Sequence, residues 1–174
     1  MKKLFTYITL TIVIALAIFY MSTLFIKVEA GVTAPGFDAE LIDGTAFKLS
    51  QLKGKYVLLD FWGSWCAPCR KENRQLVKLH ERYEDELFIV TVALEKDSLT
   101  WKKIADIDGF SWKHQIVTYN NFVLLSPIAR KYSVTEIPAK FLIDPQGKIV
   151  GELDFNQIDS LLTRVKGNTF RLLK

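Results

Sequence analysis

A chain of 174 residues, 49% apolar and 13% aromatic, has enough material for one packed core and is too apolar to be disordered. Its net charge is +4, half of it contributed by the N-terminal segment, where Lys2, Lys3 and Lys27 stand against Glu29. The mild excess that remains gives no case for a nucleic-acid partner.

Residues 4–26 form a run of 23 without a charge. As a helix it would be about 34 Å long, enough for a bilayer core of about 30 Å. The run exceeds the roughly 7 to 15 apolar residues of a cleaved signal, so an uncleaved anchor is favoured, although Val28-Glu29-Ala30 offers a weak cleavage site. Lys2 and Lys3 before the run, against Lys27 after it, put the N-terminus in the cytoplasm and everything later outside the membrane. The expected organisation is an N-terminal transmembrane anchor with its flanks over residues 1–30 and a folded domain over 31–174.

Residues 31–36 are small, the composition of a short linker. Alternation of apolar and polar residues over 37–48, on either side of Asp43-Gly44, predicts a β-hairpin. Residues 49–54 suggest one helical turn. Residues 56–62 are a continuous apolar run broken only by Asp60, which predicts a buried strand. Residues 67–83 carry Leu76, Val77, Leu79 and Tyr83 among charges, the pattern of a half-buried helix. A second buried strand over 86–94 follows, so the two strands are expected to be parallel. A helix over 98–108 with Ser98 as its N-cap presents Trp101, Ile104 and Ala105 on one face. A short strand at 115–117, a loop at Asn120-Asn121 and a short helix at 127–132 come next. Residues 137–144 and 148–153 read as a second hairpin across Pro145-Gln146-Gly147, and 157–166 as a closing helix with Ile158, Leu161, Leu162 and Val165 inward.

The chain has two cysteines, Cys66 and Cys69, placed where the first buried strand hands over to the helix. Unpaired N–H groups and the positive end of the helix dipole favour an anion at Cys66, and a thiolate is the reactive form of the side chain. Pro68 suits the first turn, where its missing N–H costs nothing. A Cys-x-x-Cys pair is a redox couple, half a zinc site or a small staple. A staple closing two residues would contribute little, and a structural zinc needs four ligands where the chain offers only the isolated His80 and His114 besides. The redox reading is favoured. Both histidines are assigned to structure or surface, and Trp101 and Trp112 to the core rather than to a partner groove.

With Asp60-Phe61-Trp62-x-x-Trp65-Cys66-Ala67-Pro68-Cys69 on a strand-to-helix turn, and Ile137-Pro138 ahead of a terminal hairpin and helix, the sequence resembles the thioredoxin fold. The N-terminal run, the added hairpin at 37–48 and the inserted segment of about 95–126 are similar to the membrane-anchored TlpA/ResA-type thiol-disulfide oxidoreductases. That resemblance implies an α/β architecture: a central mixed β-sheet flanked by helices, an extra N-terminal hairpin, and one transmembrane helix in front.

By position, the resemblance implies that Cys66 is the exposed nucleophile and Cys69 the buried resolving cysteine. Asp60 matches the buried acid that assists proton transfer at the resolving cysteine. The plain reading of Asp60 is an exposed strand-edge acid, but its apolar neighbours along the strand argue for burial, and burial raises a carboxyl pKa. Glu72 matches a glutamate near the active site in the anchored family; its plain reading is a solvated charge in the first helical turn. Pro138 matches a cis-proline loop in which Ile137 presents its backbone to a client, and Trp65 would pack beside Cys66 at the surface.

The implied reaction is thiol-disulfide exchange outside the cytoplasmic membrane, in the direction of reducing protein disulfides. Its clients are protein thiols and disulfides, its recycling partner a membrane electron donor, and cytochrome c maturation one use. No cofactor is expected beyond a redox-active Cys66–Cys69 disulfide, and no metal. The alternatives are a disulfide-forming oxidant of the same fold, and a copper-binding chaperone without redox turnover, for which His114 is the one distal ligand available. A peroxidase is disfavoured because Gly63-Ser64-Trp65 precedes Cys66 instead of the Pro/Thr setting peroxidases use.

Overall fold

The computed structural model describes residues 2–24, 28–97, 100–120 and 125–172, with side chains of the terminal helices described at Lys3, 6–19 and up to 166. Among the described residues seven strands and five α-helices are formed: α1 (Lys2–Leu24), β1 (Asp38–Glu40), β2 (Ala46–Lys48), β3 (Tyr56–Trp62), α2 (Ala67–Arg82), β4 (Leu87–Glu95), α3 (Trp101–Asp108), β5 (His114–Tyr119), α4 (Pro127–Lys131), β6 (Ala139–Ile143), β7 (Ile149–Glu152) and α5 (Phe155–Leu172). A 3-10 turn, Leu49–Leu52, lies between β2 and β3.

The apolar run around Asp60 becomes the central strand of a five-stranded mixed sheet ordered β5-β4-β3-β6-β7. β3 pairs parallel with β4, and β4 with β5, while β6 runs antiparallel to both β3 and β7. Because side chains alternate along a strand, β3 serves two cores. Leu59 and Phe61 join Phe37, Phe47, Val92, Tyr132 and Phe141 on one face, covered by the hairpin, the 3-10 turn and α4. Leu58 and Trp62 join Leu76 and Leu79 of α2, Ala105 of α3 and Ile158 and Leu162 of α5 on the other, together with both cysteines. Trp101 and Trp112 are buried in that second core, as the core assignment expected.

Both sheet edges are covered, which removes the open backbone that would template aggregation. On the β5 side the β1–β2 hairpin docks through a Leu41–Ile116 bridge and the Ile42 N–H to the Gln115 carbonyl. On the β7 side lies the segment expected to be a flexible linker, and this is a correction. Gly31 N–H donates to the Ile149 carbonyl at 2.7 Å, Ile149 N–H to Val32 at 2.9 Å, and Ala34 N–H to Gly147 at 2.9 Å. Small residues here allow close edge pairing rather than slack.

The helix over the insert starts later than expected: Thr100 is its N-cap residue and makes no side-chain cap, while Ser98 lies outside the described residues, as does Asn121. β5 and α5 extend beyond their expected bounds.

The expected transmembrane helix is not identified. Among the described residues no helix is long and apolar enough to cross a membrane. The described side chains of α1 from 6 to 19 span about 21 Å at the helical rise, short of the bilayer core. The charge-free run itself continues to residues 25 and 26, which lie outside the described ones.

Candidate active site

β3 ends at Trp62, and the loop Gly63-Ser64-Trp65 delivers Cys66 to the N-cap of α2. There the Cys66 sulfur accepts the Cys69 backbone N–H at 3.2 Å, one of the donors that a helix start leaves without an intrahelical partner. Pro68 occupies the first turn and no acid stands in it, while Arg70 and Lys71 follow at once. The helix dipole, the Cys69 N–H and the cations Arg70 and Lys71 therefore favour negative charge on the Cys66 sulfur. Cys66 and Cys69 are joined in a disulfide, S–S 2.04 Å.

Cys69 is 1% exposed and Cys66 only 5%, which corrects the expectation of an exposed nucleophile in this oxidised state. The reason is the opposing loop: the Ile137–Pro138 peptide is cis, and the Ile137 carbonyl oxygen lies 3.8 Å from the Cys66 sulfur, covering it. Disulfide-bonded sulfur carries no proton, so this is a contact and not a hydrogen bond. Beside it Trp65 is half exposed, its indole N–H held by the Leu94 carbonyl at 2.9 Å. Gly63 makes that possible, since a Cβ there would stand 2.8 Å from the Trp65 Nε1.

Asp60 is 4% exposed and lies on the sheet face that carries the cysteines, two residues from Leu58 and Trp62 of the same core. Burial pushes its carboxyl up to about 7, opposed by Lys140 and aided by Glu72. Lys140 is the residue directly across the β3–β6 ladder from Asp60 and is itself buried. Its ammonium pairs with Glu72 of α2 and lies 5.0 Å from the Phe155 ring centroid. Glu72 therefore stands past the first turn of α2, not in it, and is engaged by a buried cation.

Two contributors went unnoticed in the sequence. Lys140 interrupts the apolar strand Ala139-Lys140-Phe141-Leu142-Ile143 as Asp60 interrupts its own, and a second buried charge of opposite sign was the available signal. Glu95, at the C-terminal end of β4, is buried with its carboxyl raised by desolvation, and it accepts the Ser64 N–H at 2.6 Å and the Ser64 hydroxyl at 2.8 Å. An acid closing a parallel strand, beside the loop that leaves the neighbouring strand, falls where open α/β sheets build their sites.

His114 does not join the cysteines. Its ring packs between Phe47 and Phe88, centroids 5.4 and 5.5 Å away, with the core on the opposite face of the sheet, and burial lowers its pKa. The copper-binding alternative thereby loses its third ligand, and among the described residues no group of three or more His, Cys, Asp or Glu side chains could hold a metal. His80 lies edge-on to Trp112 within the helix packing.

A two-cysteine helix cap facing a cis-proline loop, on a mixed sheet with helices on both faces, defines a thioredoxin-like thiol-disulfide oxidoreductase. Residues 30–151 match the AhpC/TSA family, and the chain belongs to it. A thiol-disulfide oxidoreductase ResA of Bacillus cereus is 31% identical over 143 residues, 80% of each chain. ResA of Bacillus subtilis (strain 168) is 29% identical, over 78% of this chain and 73% of its own. Among solved structures, the thioredoxin domain of a thiol-disulfide oxidoreductase from Bacteroides vulgatus superposes with a TM-score of 0.67 at 29% identity, covering 76% of this chain and 97% of that one.

Proposed function

We propose that this oxidoreductase reduces protein disulfides outside the cytoplasmic membrane, with Cys66 as nucleophile and Cys69 as resolving cysteine. The observation that carries the reading is the Cys66 sulfur at the N-cap of α2, accepting a backbone N–H in an acid-free first turn. In the reduced protein Cys66 thiolate attacks one sulfur of a client disulfide; that bond breaks, its electron pair leaves on the other client sulfur, and a mixed disulfide forms. Cys69, having given up its proton to a nearby base, then attacks Cys66, releases the client as a dithiol, and leaves the Cys66–Cys69 disulfide. Asp60 is the base and, in the reverse step, the acid. The Ile137 carbonyl and cis-Pro138 supply backbone for an extended client segment, and Trp65 supplies an apolar wall. Next to Trp65 an open depression of about 470 Å³, lined also by Arg70, Lys71 and Arg74, gives that client room.

An external electron donor must restore the dithiol. The charge-free run at 4–26 and the outward-facing side chains of α1, Ile8 through Phe19, support lipid as the partner of that helix, with the N-terminus cytoplasmic. A membrane donor and a use in cytochrome c maturation follow from the resemblance.

The test uses the full chain in detergent, with dithiothreitol as electron source and insulin as client. Wild type accelerates insulin reduction, Cys66→Ser abolishes the acceleration, and Cys69→Ser accumulates a mixed disulfide; normal turnover by Cys66→Ser would sink the reading. Resistance of the chain to alkaline extraction from membranes tests the anchor.

A further inference from the structure

A strand buried on both faces has no reason to carry a lysine unless something within the core needs its charge, because an unpaired buried ammonium costs several kcal/mol or more. Lys140 is 6% exposed in the middle of β6. It reaches Glu72 on α2, three residues after Cys69, and not the acid that faces it on β3. The alternation of β6 puts Lys140 on the same face as Leu142, within the core that holds Cys66, Cys69 and Trp62. One positive charge is therefore shared unequally between a carboxyl group of the cysteine helix and one of the neighbouring strand β3. Glu72 holds the ion pair, and Asp60 has the cation nearby but no hydrogen bond from it.

We propose that Lys140 is a positioning residue for the exchange reaction: by ion-pairing Glu72 opposite Asp60, it leaves Asp60 as the one carboxyl group that passes a proton to the Cys69 sulfur when the disulfide opens. The inference rests on the exchange reading above. In that step an external thiolate attacks the Cys66 sulfur, the Cys66–Cys69 bond breaks, its electron pair leaves on Cys69, and the Asp60 carboxyl proton neutralises it. The charged groups that act on Asp60 are Lys140 from β6 and Glu72 from α2; Cys69 of α2 lies in the core on the same side of the sheet, β4 contributes Thr91, the neighbour of Asp60 in register, and the Phe155 ring of α5 packs on Lys140. Glu72 and Lys140 act on Asp60 in opposite senses. Removing each should move the reaction's pH dependence in opposite directions, which a purely structural role for the ion pair would not do.

The experiment starts from the oxidised full chain in detergent and opens the disulfide with dithiothreitol from pH 5 to 9. Acid quenching and alkylation count the thiols, and each rate is divided by the dithiothreitol thiolate concentration. In wild type the normalised rate falls with rising pH through a midpoint at about 7, where Asp60 loses its proton. Lys140→Met raises that midpoint by about one unit, making the normalised rate at pH 8 about fivefold faster than wild type. Glu72→Gln lowers the midpoint, Lys140→Arg restores the wild-type profile, and Asp60→Asn removes the inflection. Unmoved midpoints in Lys140→Met and Glu72→Gln, or shifts of the same sign, overturn the proposal. Should Lys140→Met lose its near-ultraviolet dichroism, Glu72→Gln decides alone: a lowered midpoint upholds the inference and an unchanged one overturns it. Failure of the exchange reading is separately visible, since a wild-type protein that opens with dithiothreitol but leaves insulin intact loses its assigned function while its midpoints still judge Lys140.

Discussion

Glu95 and Ser64, 31 residues apart in sequence, are joined twice: the carboxylate takes the Ser64 backbone N–H with one oxygen and its hydroxyl with the other. This ties the tip of β4 to the loop that presents Trp65 and Cys66. Two charge-assisted bonds inside a buried site are lost together in Glu95→Ala, leaving the Ser64 N–H without its partner. The expected destabilisation is about 2 to 3 kcal/mol. Thermal unfolding of Glu95→Ala and Glu95→Gln checks it. An alanine variant as stable as wild type would mean that water satisfies Ser64 as well as the carboxylate does.

Asp60 opposes folding wherever it must ionise. Its carboxyl titrates at about 7 in the folded chain and at about 3.9 in an unfolded one, so the folded state holds the extra proton between these values. Below about 4 both states are protonated and no penalty arises; stability then falls as pH rises, with the full penalty reached above about 7. Asp60→Asn should therefore be more stable than wild type at pH 8, by up to about 4 kcal/mol, with the advantage shrinking steadily toward pH 4. Urea unfolding at pH 4.5, 6 and 8 measures it. A difference independent of pH would place the gain in packing instead of ionisation.

Local pattern carried the sequence reading furthest where burial is continuous. β3 and α2 announce themselves because one is an unbroken apolar run and the other keeps helical spacing, and the cysteines at their junction follow from both. Asp60 was legible as buried because a charge inside such a run has few other places to be. Lys140 gave the same kind of signal. Its partner, however, lies 68 residues earlier on α2, and the packing of that helix against β6 is a non-local feature that no window of sequence contains. Residues 31–34 misled for a related reason. Edge pairing uses backbone groups that every residue has, so a small-residue composition shows how easily the chain bends and nothing of where it binds. The cover over Cys66 likewise comes from Ile137, 71 residues away.

Asp108, at the end of α3, binds the catalytic helix through Arg70 Nη2 at 2.9 Å and Asn73 Nδ2 at 2.7 Å. Asn73 is 2% exposed, so Asp108→Ala strands a buried amide as well as a guanidinium. The cost should be about 2 kcal/mol, or a fall of about 4 to 8 °C in Tm for a domain of this size. Asn73→Ala made on top of Asp108→Ala should add little, because the amide left without a partner is then gone. Additive losses in the double variant would show that Asn73 stabilises α2 by some contact other than Asp108.

Gly63 tests how Trp65 is held. A methyl group at position 63 would sit 2.8 Å from the Trp65 Nε1 and 3.2 Å from the Leu94 carbonyl, and the carbonyl, being sheet backbone, is the less able to move. In Gly63→Ala the indole must swing off Leu94 into water, giving up its hydrogen bond at 2.9 Å. The expected result is a red-shifted tryptophan emission, absent when Trp65→Phe is present in the same chain, with a stability loss of about 1 kcal/mol. Since the indole then no longer walls one side of the cysteine site, insulin reduction should slow mainly through a raised KM. An emission maximum identical to wild type would mean that the backbone of the loop yields before the side chain does, and that Trp65 is anchored more firmly than the 63–65 turn that carries it.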